Sequence, residues 1–324
     1  MRNMTKIVFT AVFLFLVGSI LADGKIDFSK VPMAAGKAAL TENGFYINRT
    51  VGTANFSPEL RLPVQLFYNS ASRKSGILGF AWRIPQFESS AIPERDGVIW
   101  QTPWGEKIRF FEKRKPTKET LEVFKASMQG KGFFAPFADW NADGKLKSGN
   151  WTFTGKNQLD GWKFVYRDAK LRSITAPSGR TVEFEYASGN LIAVCQGGTA
   201  FIQIAYNGRE ISSITINGIR TELKYSSRKI PFLPETLTAS TVTRSRTLLA
   251  SCTTAGIAPV EFGYDDAGYL NSIRQDRFEE KITVQHETEQ QRLTYLTRLA
   301  EAKKNKKMKT AFSAPMLPAE FSVM

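Results

Sequence analysis

Between Trp151 and Gln275 one hydrophobic pattern recurs. Apolar or small residues alternate with polar ones in the sets Trp162/Phe164, Val182/Phe184, Ile202/Ile204, Thr221/Leu223 and Val260/Phe262. Each set leads into a tyrosine: Tyr166, Tyr186, Tyr206, Tyr225 and Tyr264. Glu183, Gln203, Glu222, Lys224 and Glu261 hold the alternate positions. A period of two is the signature of a strand buried on one face. Past each tyrosine lie a few turn-forming residues and then an apolar pair three apart, as in Leu171/Ile174, Leu191/Val194, Ile211/Ile214 and Leu270/Ile273. A short loop containing glycine predicts a hairpin. The spacing of three fits no single face of a regular strand, so it predicts a bulge or a second strand buried on both faces.

The opposite end of each unit carries "PSG" (177–179), "QGG" (196–198) or "NG" (217–218), which makes Gly179, Gly198 and Gly218 repeat positions. Asn-Gly is the strongest of these signals, because a tight hairpin turn needs positive φ. The gap between Tyr225 and Tyr264 is close to two periods. It predicts a degraded copy in which Leu248 replaces the first apolar residue and Thr243 the tyrosine. Pro231 and Pro234 cannot donate ladder hydrogen bonds and predict a lost strand or an edge beside it. The expected fold is all-β: about six hairpin units stacked on one another, since none can bury its apolar face alone. They would form a curved, open sheet, a partial β shell.

Five regions follow from the pattern. Residues 1–22 read as a signal peptide, 23–112 as an N-terminal β leader, 113–150 as a linker, 151–275 as the repeats and 276–324 as a charged helical and basic tail. In the leader, Leu60/Leu62 and Val64/Leu66 alternate around Pro63, then a Ser- and Gly-rich loop ends on Gly76, Gly79 and Trp82. "DGVIWQTPWGEKIRFF" (96–111) predicts strand, turn, strand. Residues 119–150 hold an aromatic cluster of Phe133, Phe134, Phe137 and Trp140, and Leu293, Leu296, Leu299 and Ala300 predict a helix. Leader strands over one sheet edge and that helix over the other would answer the edge-strand problem. Cys195 and Cys252 each lie four residues past an apolar marker, Leu191 and Leu248, which puts them in the same phase three units apart. Stacking at one strand spacing per unit separates them by at least roughly 14 Å, beyond disulfide reach, so both are expected as free, buried thiols.

The repeats resemble the YD repeats of the Rhs family, shared with insecticidal toxin complexes and teneurins. The matching pieces are "FVYRDAKLRSITAPSGRTVEFEY", Tyr264-Asp265, "AGYL" (267–270), "SGRT" (178–181) and "NGIRT" (217–221). Upstream, "LPVQLFYNSASRKSGILGFAW" resembles the family's leader segment and "ERDGVIWQTPWGEKIRFF" the strand pair after it. The resemblance covers roughly residues 44–112 and 151–275. It implies a short member of a family whose long members wrap many repeats into a hollow β shell around a toxin or cargo. Only Tyr264 keeps a full Tyr-Asp pair, and the autoproteolysis motif of the long members is not evident.

Composition adds a compartment and a surface. At 42% hydrophobic and 23% charged the chain has a globular balance. Arg2 and Lys6 precede an apolar run from Ile7 to Ala22, and the polar "DGK" follows, the layout of an export signal cut after Ala22. An uncleaved anchor is the alternative, although a span needs roughly twenty residues. The expected location is therefore secreted, cell-surface or periplasmic. The net charge of +14 falls to +12 without Arg2 and Lys6. An exported basic protein favours anionic envelope polymers or membrane surfaces over nucleic acid, and part of the charge is the solvated run "KKNKKMK" at 303–309.

Catalytic chemistry finds little purchase. The single histidine, His286, lies in a charged stretch outside the repeats, and with two cysteines it matches no zinc ligand set. "DWNADG" (139–144) has the start of a calcium loop, with Asp139, Asn141 and Asp143 as ligands for Ca2+, but its twelfth position is Asn150 rather than glutamate. A polar β-turn accounts for the same letters. Asp265 and Asp266 could serve a glycosidase only if the repeat turn did not already require them. Trp100 and Trp104 offer rings for sugar stacking or, alternatively, for core packing. Asn48 and Asn150 begin acceptor sequons that matter only in a glycosylating host. The expected function is a non-enzymatic binding or scaffold module contacting envelope or glycan surfaces. The alternatives are a piece of a toxin-delivery shell whose partners are other such segments, and a carbohydrate-active hydrolase.

Overall fold

Alternation decides the repeat region: Val182 and Phe184 are buried while Glu183 and Glu185 are exposed, so the strand that carries them has one wet face and one dry face. The computed structural model describes residues 39–41, 44–70, 72, 74–113, 128–135, 138–232, 242–284 and 321–323. The leader contributes β1 (Ala39–Thr41), β2 (Gly44–Asn55), β3 (Arg61–Asn69), β4 (Ser75–Gly76), β5 (Gly79–Phe80) and β6 (Trp82–Arg83). A strand pair and its neighbours follow as β7 (Ser90–Pro93), β8 (Gly97–Gln101), β9 (Lys107–Glu112), β10 (Phe133–Phe134), β11 (Trp140–Gly144) and β12 (Trp151–Gly155). The repeats are β13 (Lys163–Arg167), β14 (Lys170–Thr175), β15 (Thr181–Ala187), β16 (Asn190–Gln196), β17 (Thr199–Asn207) and β18 (Glu210–Ile216). They continue as β19 (Ile219–Phe232), β20 (Val242–Thr254), β21 (Val260–Tyr264) and β22 (Leu270–Gln275), followed by β23 (Phe278–Val284) and β24 (Phe321–Val323).

The all-β class and the stack of hairpins in one curved sheet agree with the sequence pattern. Strands β11 to β24 pair each with the next, β7, β8, β9 and β10 likewise, and β7 also pairs with β14. Within this sheet stand five tyrosine hairpins, and each has a register shift immediately before its tyrosine. Tyr166, Tyr186, Tyr206, Tyr225 and Tyr264 oppose Leu171, Leu191, Ile211, Leu249 and Leu270. The residues that follow those partners, Arg172, Ile192, Ser212, Ala250 and Asn271, are the extra ones. A bulge is therefore what the apolar spacing of three encodes.

The degraded copy does not form a unit of its own. Strands β19 and β20 make one long hairpin whose register runs from Thr221↔Thr254 to Phe232↔Val242, with Pro231 inside the ladder opposite Thr243. Because Tyr225 pairs with Leu249, Leu248 falls opposite Ser226 and has no repeat role. The same register corrects the shared phase of the cysteines, since Cys252 lies three residues past Leu249 whereas Cys195 lies four past Leu191. Both thiols are free and buried, on β16 and β20. The stretch read as a linker supplies β10 and β11, and the start of the tail supplies β23, which pairs with β22. Signal residues 1–22, Phe137, His286, the basic run and the predicted helix lie outside the described residues.

Strands β1, β2, β3 and β6 form a separate antiparallel sheet, and it lies against the apolar face of the repeats rather than along an edge. Phe56 packs on Phe201 at 4.9 Å between ring centroids and Trp82 on Phe262 at 4.8 Å. Arg49 donates to Gln275 at 2.6 Å. One contiguous core includes leader residues such as Leu62, Val64 and Leu66 together with repeat residues such as Ile174, Val194 and Ile214. Among the described residues no helix is long and apolar enough to cross a membrane.

Candidate functional site

A bulge leaves backbone groups outside the ladder, and buried groups of that kind need partners. The repeat tyrosines provide them. The Tyr206 hydroxyl donates to the Leu191 carbonyl at 3.0 Å, Tyr225 to Ile211 at 2.7 Å and Tyr264 to Leu249 at 2.7 Å. In every case the acceptor is the residue opposite the tyrosine of the preceding hairpin. The leader satisfies donors at the same bulges: the Ile211 N–H donates to the Ile77 carbonyl at 2.9 Å and the Leu270 N–H to the Tyr68 hydroxyl at 3.0 Å. Burial pushes Tyr206 up to about 12 and raises Tyr225 and Tyr264 well above the ordinary phenol value, so these phenols remain protonated donors.

Two tyrosines depart from this scheme. Tyr166 lies in the first of the five hairpins, and its hydroxyl is held by Ser89 Oγ at 2.6 Å and Trp100 Nε1 at 2.7 Å. Tyr186 interrupts the series, because its hydroxyl has no hydrogen-bond partner among the described residues. Its ring is covered instead by Lys170 Nζ, 5.4 Å from the centroid, and by the Arg172 guanidinium at 4.7 Å. Leader strand β7 intrudes beside it, pairing Ser90 with Lys170 and donating from the Ala91 N–H to the Ala169 carbonyl.

A cavity of about 190 Å³ opens beside Tyr186, between the leader and the first three hairpins. Ile77, Phe87, Leu191 and Tyr206 give it apolar and aromatic walls, and Glu88, Lys170, Asn190 and Tyr186 give it polar groups. Lys170 Nζ donates to the Gly189 carbonyl at 2.6 Å, which holds the ammonium at the rim. Burial raises Glu88 to about 7 against the opposing pull of Arg83 and a hydrogen bond from the Ile84 N–H. Its charge also contributes to the raised value of Tyr206.

The residues singled out from the sequence take structural places. Gly179, Gly198 and Gly218 sit at positive φ in the turns that join hairpins. Asn217 and Gly218, at φ 50° and 82°, form the tight turn that Asn-Gly predicts. Trp100 is fully buried and Trp104 nearly so, and Trp100 stacks on Phe153 at 4.3 Å. Core packing therefore replaces sugar stacking for this pair. Asp139, Asn141 and Asp143 are exposed along β11 and its approach. An extended strand spaces alternate residues by about 6.8 Å, so this segment does not wrap into a calcium loop. Asp139 accepts instead from Asn157 at 2.9 Å. Asp265 accepts from the Tyr269 N–H at 2.9 Å and closes its turn, as the repeat requires. Sequence reasoning missed Glu88 and Lys170; "QFESS" has no periodic context, and only the intrusion of β7 brings Glu88 to the repeats.

No family model matches the chain, and no curated protein does. Among solved structures it is similar to a chain of the Tc holotoxin pore of Photorhabdus luminescens, with 15% identity and a TM-score of 0.31 over 75% of this chain. A chain of the TcdB2–TccC3 crystal structure is similar at 15% identity and a TM-score of 0.31 over 76% of this chain. The chain spans 12% of the length of each of these structures.

Proposed function

We propose that the chain is an exported, non-enzymatic repeat scaffold of the Rhs/YD type that binds envelope or glycan surfaces. The observation that carries this reading is the series of hydroxyl-to-carbonyl bonds from one hairpin to the previous one. Such bonds lock the units at fixed spacing around a filled interior, which suits display of a rigid surface better than the motions of a catalytic cleft. The basic balance supports an anionic or mixed envelope polymer as the contacted surface. The test is co-sedimentation of the chain from residue 23 onward with purified cell-wall polysaccharide at increasing salt. Retention without release of reducing ends is expected. A chain that stays in the supernatant at low salt overturns the binding half. Sugar release lost in Asp265→Asn overturns the non-enzymatic half.

A further inference from the structure

We propose that the cavity beside Tyr186 is a binding site for a single sugar ring, at the end or side of a glycan chain. The inference names the ligand class of the surface-binding reading and rests on it. Its starting point is a break in an otherwise regular device. Three successive tyrosines, Tyr206, Tyr225 and Tyr264, spend their hydroxyls on the preceding hairpin. The Tyr186 hydroxyl has no such partner among the described residues, and Tyr186 lines the cavity. A free phenol on the wall of a hollow is a donor and acceptor held ready for a ligand.

The lining fits a pyranose in three respects. Phe87 and Tyr206 present aromatic surface to the apolar C–H face of a ring, and Ile77 and Leu191 complete an apolar floor. Glu88 accepts from sugar hydroxyls, while Lys170 and Tyr186 donate to ring or hydroxyl oxygens, so both hydrogen-bonding senses are present. At about 190 Å³ the volume is of the size of one ring. Glu88 faces Arg83, and Lys170 and Arg172 flank Tyr186, so cations and a carboxylate both stand around the cavity. A hydroxyl-rich ligand offers both donors and acceptors to these groups.

The test titrates the folded chain with chitotetraose, cellotetraose, maltotetraose and a galactose tetramer, read by calorimetry and saturation-transfer NMR. One of these is expected to bind, and Tyr186→Phe and Glu88→Gln are each expected to weaken it by about tenfold or more. Near-UV circular dichroism verifies the fold of each variant, and Tyr186→Phe, which removes one oxygen, keeps the test valid if Glu88→Gln fails to fold. Absence of binding by all four up to about 10 mM overturns the proposal, as does equal affinity in wild type and Tyr186→Phe. Wall retention that persists alongside either result locates the failure in this site. Loss of wall retention with intact tetrasaccharide binding locates it in the surface-binding reading.

Discussion

At the scale of single residues, the five repeat tyrosines share a position but not a job. The Tyr264 hydroxyl donates to the Leu249 carbonyl and accepts from Trp82 Nε1, both at 2.7 Å. Tyr264→Phe leaves a carbonyl and an indole N–H without that partner and is expected to cost about 1–3 kcal/mol in urea denaturation. Tyr186→Phe removes a hydroxyl with no hydrogen-bond partner among the described residues and is expected to change stability by less than about 0.5 kcal/mol. Equal costs for the two variants would contradict the assignment. Glu88 gives a pH signature. Its native value is raised from 4.5 to about 7 by burial, so the unfolded chain loses this proton first as pH rises. Stability is accordingly expected to be undiminished by this group below about pH 4.5, to fall between there and about pH 7, and then to level off. Thermal melts of wild type and Glu88→Gln across that range check it: the fall should be absent from the variant.

At the scale of elements, strand positions and bulges were legible because local chemistry determines them. Val182, Phe184 and Tyr186 mark one face of β15 by alternation alone, and Leu191/Val194 announces the extra residue Ile192. Asn217-Gly218 announces its turn. Legibility stopped where two alignments of the same letters competed. Leu248 satisfies the count of residues, yet Leu249 is the partner of Tyr225, because the long β19–β20 ladder fixes the register cooperatively. Counting residues cannot see that cooperativity. Strand β23 was hidden for a related reason, since its exposed charges, such as Lys281, resemble a tail until β22 pairs with it. The candidate site was the least legible part. Tyr186 was marked as a repeat position, but Glu88 and Lys170 meet it only through a contact between distant segments.

At the scale of the whole molecule, leader and repeats share one core. Trp82 of the leader touches Phe262, and Gly79 approaches the Thr247 carbonyl so closely that a Cβ there would lie 2.5 Å away. Neither part keeps its buried face covered without the other, so a single cooperative transition is expected. Tryptophan fluorescence and far-ultraviolet circular dichroism should give coincident urea curves; two separated midpoints would show that the leader folds independently. The tyrosine bonds add a direction to this architecture. The hydroxyls of Tyr206, Tyr225 and Tyr264 each point toward the hairpin that precedes them in the chain. A polypeptide leaves its site of synthesis N-terminus first, so each of these three hairpins arrives carrying the donor for an acceptor already in place. The leader is made before all of them, and the curved sheet is then laid down around it course by course, each course mortared to the last.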